Sequence, residues 1–247
     1  MKILSIGNSF SQDAHRWLHS IAKVDNYELD TVNLNIGGCS LEQHWFNFTN
    51  DISDYEMEGN NGEFVRKTSI LQALESDKFD VVTVQQASHF SGRPQSFFPF
   101  LTNLVEVIRK KQPDAKIYFH KTWSYNKNSS HTAFAEYNCD RKEMYRRISD
   151  CCIMASEIIN AKIIPSGEMI QKLSENTKEF NCEADGISLY RDGFHLSLDY
   201  GRFAAAAVWY KTLTGRKIDA KKVATIDEQF DSKLIEVILE QLETIEV

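Results

Sequence analysis

The sequence predicts an α/β protein, a single domain over residues 1–247, with helices on both faces of a parallel sheet. Short apolar runs that are typical of buried strands alternate along the chain with longer segments whose apolar residues recur at helical spacing. A chain of 247 residues is long enough to bury one large core. No internal repeat, linker or low-complexity segment divides it.

The first unit of the chain is a strand, a tight turn and a helix. An apolar run that begins at Ile3 predicts a buried strand, and the small residues Gly7-Asn8-Ser9 end it. Apolar residues then recur at helical spacing, at Ala14, Trp17, Leu18, Ile21 and Ala22. Ser9 is therefore expected at the carboxyl end of a strand, where open α/β sheets bind ligands. It could serve there as a helix cap or as a reactive hydroxyl beside helix amides that favour an anion.

Four further strands are predicted, and helices lie between them. The strands cover Glu28–Ile36, Phe79–Val84, Lys116–His120 and Lys162–Pro165. Helices are expected after Ser40 and over Lys67–Glu75, Ser96–Lys111, Glu136–Asn160, Gly167–Lys178 and Asp199–Leu213, the last of which closes the fold. Residues 47–63 and 126–135 are polar and are expected to form surface loops.

Right-handed crossovers favour a five-stranded parallel sheet with the strand order 2-1-3-4-5. The switch point of this order lies between strands 1 and 3, which is where such sheets bind ligands. The ends of strands 1, 2 and 3 then bring together Ser9, Gly38 and the pair Gln85-Gln86.

A second group of candidate residues precedes the last predicted helix. Asp192 lies three residues before His195, a spacing at which a carboxylate can bond Nδ1 of the ring and leave Nε2 facing outward. A serine nucleophile needs such a base because its hydroxyl is weakly nucleophilic at neutral pH. Taken alone, such a pair is more often a loop histidine that caps the following helix, with the aspartate in a turn.

Together these motifs resemble those of the SGNH, or GDSL-like, hydrolases. Gly7-Asn8-Ser9-Phe10-Ser11 is similar to the first block of that superfamily, Gly38 to its second-block glycine, and Asp192 with His195 to its fifth block. More narrowly, Gly-Gly-Cys-Ser-Leu, Val-Gln-Gln-x-Ser and Ile-Ile-Pro-Ser-Gly resemble the bacterial DUF4886-type domains. The resemblance implies a flavodoxin-like three-layer fold and ester hydrolysis through an acyl-serine. It also implies that the amides of Ser9 and Gly38 form an oxyanion hole.

The sequence departs from the superfamily pattern at two places. Asn8 replaces the usual aspartate, and the third block, Gly-x-Asn-Asp, is absent. Gln85-Gln86-Ala87-Ser88 stands in its place, and a glutamine amide can donate to an oxyanion as an asparagine amide does. Successive strand residues point in opposite directions, so only one glutamine can serve. Gln86 is preferred because the pattern places its asparagine slightly past the strand end.

Other polar and aromatic residues follow the predicted strand ends. We expect His89, Trp123 and Trp45 to line a substrate cleft, with plain packing as the alternative. The histidines at 15, 19, 120 and 131 are expected to be structural or solvated, and none of them forms a metal-ligand pattern.

Composition narrows the classes of partner. The net charge of −7 disfavours nucleic acid, and no apolar run is long enough to span a membrane. Five cysteines without metal-type spacing predict reduced thiols, with neither a disulfide nor a metal site. Because no signal peptide precedes the first strand, a cytoplasmic location is expected. The sequence makes no prediction of oligomeric state.

The prediction is therefore a serine esterase that requires no cofactor, with Ser9, His195 and Asp192 as its triad. Its expected substrate is a small-molecule or carbohydrate ester, with acetyl on a carbohydrate preferred by family analogy. A lipase or thioesterase for longer acyl chains is one alternative. A non-catalytic module that binds carbohydrate or another small ligand is the other, suggested by the altered third block.

Overall fold

A seven-stranded sheet forms the centre of the protein in the computed structural model, which describes residues 1–247. The strands are β1 (Lys2–Gly7), β2 (Asp30–Asn35), β3 (Tyr55–Glu58), β4 (Phe64–Thr68), β5 (Val81–Val84), β6 (Lys116–His120) and β7 (Lys162–Ile164). Their order is β4-β3-β2-β1-β5-β6-β7, and the five strands from β2 to β7 in this order are parallel. This confirms the predicted order 2-1-3-4-5.

Two antiparallel strands that the sequence did not predict extend the sheet beyond β2. β3 pairs with β2 and β4 pairs with β3, so the prediction of a loop over 47–63 and of a helix from Lys67 is wrong there. The polar composition of this segment predicted a loop. In the structure, however, Glu58 of β3 is buried and accepts hydrogen bonds from the side-chain amides of Asn33 and Asn35 of β2. Phe64, by contrast, is exposed on the edge strand.

The helices are α1 (Ser9–His15), α2 (Leu18–Val24), α3 (Leu41–Thr49), α4 (Ile70–Ser76), α5 (Phe100–Lys111), α6 (Arg141–Ile158), α7 (Ser166–Asn176), α8 (Tyr200–Thr214), α9 (Ala220–Val223) and α10 (Ser232–Glu243). One core packs α3, α4, α5 and the end of α6 against Leu4 and Ile6 of β1. A second core, on the face that carries Ile3, packs α1, α2, α7, α8 and α10. The fold is thus a three-layer α/β/α sandwich. No helix is both long enough and apolar enough to cross a membrane.

Several helix boundaries differ from those predicted because caps set them. α4 begins at Ile70 since Ser69 and Gln72 form a reciprocal capping box. α6 begins at Arg141, after Asp140 accepts hydrogen bonds from two amides of its first turn. A separate 3₁₀ segment, Thr132–Tyr137, precedes it.

The chain does not end its fold at the alanine-rich α8, as the sequence suggested. α8 is buried along most of its length, and the small side chains from Ala204 to Ala207 lie within the core. α10 covers α8 and α7 with four buried residues at helical spacing, namely Ile235, Ile238, Leu239 and Leu242. The prediction of a closing α8 is therefore wrong, although the apolar period of α10 was present in the sequence.

Candidate functional site

Ser9 is the first residue of α1, directly after the carboxyl end of β1 and the cap residue Asn8. The Asn8 side chain caps the helix by accepting the N–H of Phe10 at 3.0 Å. The Ser9 hydroxyl is therefore not needed as a cap, and it instead contacts the ring of His195. Of the two roles open to Ser9 in the sequence, the capping role falls to its neighbour.

Ser9, His195 and Asp192 form a continuous chain of hydrogen bonds. Ser9 Oγ lies 2.9 Å from Nε2 of His195, and His195 Nδ1 lies 2.7 Å from Oδ2 of Asp192. Because a carboxylate only accepts, this geometry assigns the ring proton to Nδ1 and leaves Nε2 to accept the serine proton. The structure thus joins residues that are 186 positions apart in the chain.

The loop that carries Asp192 holds the carboxylate in its ionised form. Oδ1 of Asp192 accepts the backbone N–H of His195 at 2.8 Å and that of Phe194 at 3.2 Å. Burial alone would raise the pKa of Asp192, but hydrogen bonds from the His195 ring and from these two amides outweigh it and lower the pKa below its usual range. Gly193, with φ of +89°, makes the turn that brings both amides to one oxygen.

The loop after β2 presents free backbone amides beside this serine turn. The amide N–H of Gly38 donates to no other group, and Gly38 has φ of +66°. The N–H of Ser9, at the first position of α1, likewise has no partner within the helix. Asn8 ties the two segments together, because its Nδ2 donates to the carbonyl oxygen of Cys39 at 3.0 Å. These two amides are therefore the candidate donors of an oxyanion hole.

The two glutamines after β5 point in opposite directions, as strand geometry predicts. Gln86 donates both amide hydrogens to Ser96, to the carbonyl oxygen at 2.9 Å and to Oγ at 3.0 Å. Its Oε1 accepts the N–H of Leu41 at 3.0 Å. The structure therefore contradicts the preference for Gln86 as the side-chain donor, because its amide is fully used in joining α3 to the segment after β5.

Gln85 is the glutamine that faces the serine turn. Its Nε2 donates to Oδ1 of Asn8 at 2.8 Å, and its Oε1 lies 2.7 Å from Nδ1 of His120. The other ring nitrogen of His120, Nε2, lies 3.0 Å from Oγ of Ser166. Burial lowers the pKa of His120 to about 3, so the ring is neutral and can donate from Nδ1 to Gln85. His120 has the structural role that the sequence suggested.

Of the three residues expected to line a cleft, Trp123 does not. It is fully buried, stacks on Phe10 at 4.3 Å between ring centroids, and donates from Nε1 to the carbonyl oxygen of Phe194 at 2.8 Å. Trp123 therefore lies in the core and holds the Asp192–His195 loop through the Phe194 carbonyl, and its expected role in lining the cleft is wrong. The sequence carries no signal that separates a buried tryptophan from one on a rim.

The other two residues expected to line the cleft, His89 and Trp45, each pack against neighbouring aromatic rings. His89 is half-buried, and its ring centroid lies 6.0 Å from the ring centroid of His131. The His131 ring in turn lies 5.0 Å from the ring of Phe194. The pKa of His131 is lowered by burial and by the nearby His195. Trp45 stacks on Phe48 of its own helix. The polar composition of the loop over 126–135 gave no sign that His131 would lie beside the site.

Two further observations bear on the chemistry of the protein. No group of three or more His, Cys, Asp or Glu side chains is arranged to hold a metal ion. A cavity of about 620 Å³ lies near the amino ends of β1, β5 and β6, and its lining includes Lys78, Asp80 and Lys116. Neither Ser9 nor His195 lines this cavity.

Comparison with known proteins agrees with this fold and arrangement. The family described as "Domain of unknown function (DUF4886)" matches residues 2–238. The chain belongs to the DUF4886 family. A solved DUF4886 structure from Bacteroides uniformis is 34% identical to it, with a TM-score of 0.88 over 98% of this chain and 93% of the other.

More distant structures share the fold of this DUF4886 protein. A candidate SGNH hydrolase from Slackia heliotrinireducens is 22% identical, with a TM-score of 0.59 over 86% of this chain and 98% of that one. An acetyl xylan esterase, AlAXEase, is 17% identical, with a TM-score of 0.55 over 85% and 98%. No curated protein matches the sequence. The fold is that of the SGNH and GDSL-like hydrolases, as the motifs suggested.

Proposed function

We propose that this DUF4886 protein is a serine hydrolase that cleaves carboxylic esters through an acyl-serine intermediate. The observation that carries the proposal is the hydrogen-bonded chain from Ser9 through His195 to Asp192, with distances of 2.9 and 2.7 Å. A serine, a histidine and a carboxylate in this order are the parts of an activated nucleophile.

In the proposed mechanism, Ser9 Oγ attacks the ester carbonyl carbon while His195 Nε2 takes its proton. The carbonyl oxygen becomes negative and accepts hydrogen bonds from the N–H groups of Ser9 and Gly38, which have no other partner. His195 then returns the proton to the leaving alcohol, and Asp192 keeps the ring in the required tautomer throughout. A water molecule, deprotonated by the same histidine, releases the acid from the acyl-serine.

A fluorophosphonate probe, which forms a covalent bond with activated serines, tests the proposal. We expect one label per chain, which mass spectrometry locates on Ser9. Ser9→Ala should remain unlabelled and lose up to about a million-fold in kcat towards p-nitrophenyl acetate. Ser197→Ala is the control, because its hydroxyl accepts the amide of Gly201 and has no place in the mechanism. A label on another residue, or activity retained without Ser9, would overturn the proposal.

The preferred substrate is a small acyl group, such as acetyl, carried by a carbohydrate. Half-buried rings near His195, those of Phe194, His131 and His89, offer flat faces of the kind that suits sugars. The proposal predicts that kcat/KM is highest for p-nitrophenyl acetate and falls as the acyl chain lengthens. A rise with chain length would favour a lipase or thioesterase, and the absence of both turnover and labelling would favour a non-catalytic binding module.

A further inference from the structure

α1 places a second polar side chain on the face that carries Ser9. Asp13 lies four residues after Ser9, and residues at this spacing share one face of a helix. Its side chain is fully buried, with 0% exposure, which is rare for a carboxylate unless several donors satisfy it. The mechanism proposed above does not use it.

Both oxygens of the Asp13 carboxylate are held by donors from the other end of the chain. Oδ2 accepts the backbone N–H of Leu196 at 2.9 Å. Nη1 of Arg191 lies 2.9 Å from Oδ1 and 3.1 Å from Oδ2, and Nε of Arg202 in α8 lies 2.7 Å from Oδ1. Leu196 and Arg191 flank the Asp192–His195 segment on its two sides.

The segment between these two anchors closes on itself. Tyr190 and Leu196 form an isolated antiparallel bridge, and the N–H of Arg191 donates to the carbonyl oxygen of His195 at 3.1 Å. The Arg191 guanidinium also donates to the carbonyl oxygen of Leu196. Residues 190–196 thus form a closed loop, and its attachments to the rest of the molecule decide where His195 lies.

The other attachments of this loop come from a different part of the fold. Trp123 Nε1 donates to the carbonyl oxygen of Phe194, and the N–H of Asn126 donates to that of Gly193, both at 2.8 Å. Both donors belong to the segment after β6. Asp13 is therefore the attachment that comes from the nucleophile's own helix, and it links the loop directly to the element whose first residue is Ser9.

We propose that Asp13 is a positioning residue that holds the Asp192–His195 loop in register with Ser9, so that Nε2 meets Oγ. This inference rests on the proposed function. Separating Asp13 from its two arginine partners is costly, because the carboxylate has 0% exposure and would remain buried without them. A displacement of about 1 Å between reacting groups lowers the rate about 100-fold.

The test compares Asp13→Asn with a matched control, Asp25→Asn. Asp25 also binds an arginine, Arg216 at 2.5 Å, but it lies after α2 and touches no residue of the site. Kinetics with p-nitrophenyl acetate give kcat and KM, and hydrogen exchange read by mass spectrometry over residues 189–199 reports on the loop itself. For Asp13→Asn we expect kcat to fall about 100-fold with KM little changed, and exchange in the loop to rise. Asp25→Asn should change neither.

A second variant covers the case in which Asp13→Asn does not fold. Arg202→Gln removes one donor at a side chain that is 14% exposed, and it should shift exchange and kcat in the same direction by a smaller factor. A folded Asp13→Asn or Arg202→Gln protein with wild-type kcat would overturn the positioning role, whether or not exchange rises. If the wild type and Asp25→Asn fail to hydrolyse esters, the proposed function fails; unchanged exchange in the folded variants would then overturn the attachment separately.

Discussion

Asn8 makes three hydrogen bonds that an aspartate at this position could not make together. Its Oδ1 accepts from the N–H of Phe10 and from Nε2 of Gln85, while its Nδ2 donates to the carbonyl oxygen of Cys39. A carboxylate only accepts, so aspartate would leave the Cys39 carbonyl without this donor. The departure from the superfamily pattern at Asn8 therefore has a structural reason: one amide joins the turn that carries Ser9, the Gly38 loop and the end of β5.

Asp192 gives the sharpest prediction at the scale of a single residue. In Asp192→Asn the side chain can donate as well as accept, so His195 is no longer held in the tautomer that presents an unprotonated Nε2 to Ser9. We expect kcat to fall by up to about 10,000-fold while the protein stays folded. Asp185→Asn is the control, since Asp185 is exposed and lies outside the site. A loss below about tenfold would contradict the assigned role.

At the scale of elements, the end of β5 anchors two different parts of the molecule with adjacent residues. Gln86 joins the first residue of α3 to the segment at Ser96, and Gln85 joins the nucleophile turn to His120 of β6. Because the two side chains leave the strand in opposite directions, one supports the sandwich and the other supports the site. Of the two, only Gln85 has an amide hydrogen that no partner in the protein uses.

We therefore predict that substitution of Gln86 lowers mainly stability, whereas substitution of Gln85 lowers mainly activity. Gln86→Ala should lower the free energy of unfolding by about 1–3 kcal/mol for each buried partner left unpaired, with kcat reduced less than about tenfold. Gln85→Ala should lower kcat by about tenfold or more with a smaller change in KM, because Asn8, which caps the helix that begins at Ser9, loses its side-chain donor. Urea denaturation and ester kinetics measure both effects.

A buried glutamine far from the site provides the control for this pair. Gln112 accepts the N–H of Phe79 at 3.0 Å and donates to the carbonyl oxygens of Leu74 and Asp77. Gln112→Ala should destabilise the fold as Gln86→Ala does and leave kcat unchanged. The reverse order, with Gln86→Ala the more harmful to kcat, would restore the assignment made from the sequence.

For the whole molecule, the sequence predicted those elements in which one physical requirement dominates the choice of residue. The five parallel strands were found because strands covered on both faces carry mostly apolar residues, although β2 also buries Asn33. β3 and β4 were missed because Glu58 is buried among amides and Phe64 is exposed on an edge, so polarity and burial are reversed there. Hydropathy cannot reveal a strand whose buried side chain is a carboxyl group.

The candidate site divides in the same way. The sequence singled out Ser9, Asp192 and His195 because serine-hydrolase chemistry restricts the residue type and, for the last two, the spacing; the structure brings the three side chains together. Trp123 was misassigned because an aromatic residue after a strand is equally suited to a rim or to the core, and only the stacking on Phe10 decides. Asp13 carried no signal of its own, since its partners lie about 180 positions away in the chain.

Three histidines in the interior make the stability of the whole molecule depend on pH. His15, His44 and His120 are buried, and burial lowers the pKa of each from its ordinary value of 6.5 to about 3. The unfolded chain therefore binds up to three more protons than the folded one between these two pH values. Stability rises with pH wherever the unfolded state binds more protons. These histidines consequently leave stability unchanged above pH 6.5 and reduce it as the pH falls below that value.

We predict that the free energy of unfolding falls steeply below pH 6.5, approaching about 1.4 kcal/mol per pH unit for each histidine. Urea denaturation from pH 7.5 to 5 measures the slope. His44→Gln removes one of the three buried imidazole rings. This ring contacts Tyr55 and Cys39 rather than Ser9, His195 or Asp192. The slope should therefore decrease by about a third of the histidine contribution. Gln112→Ala, which removes no titratable group, is the control and should leave the slope as it is. A slope unaffected by His44→Gln would mean that this ring is already protonated in the folded protein.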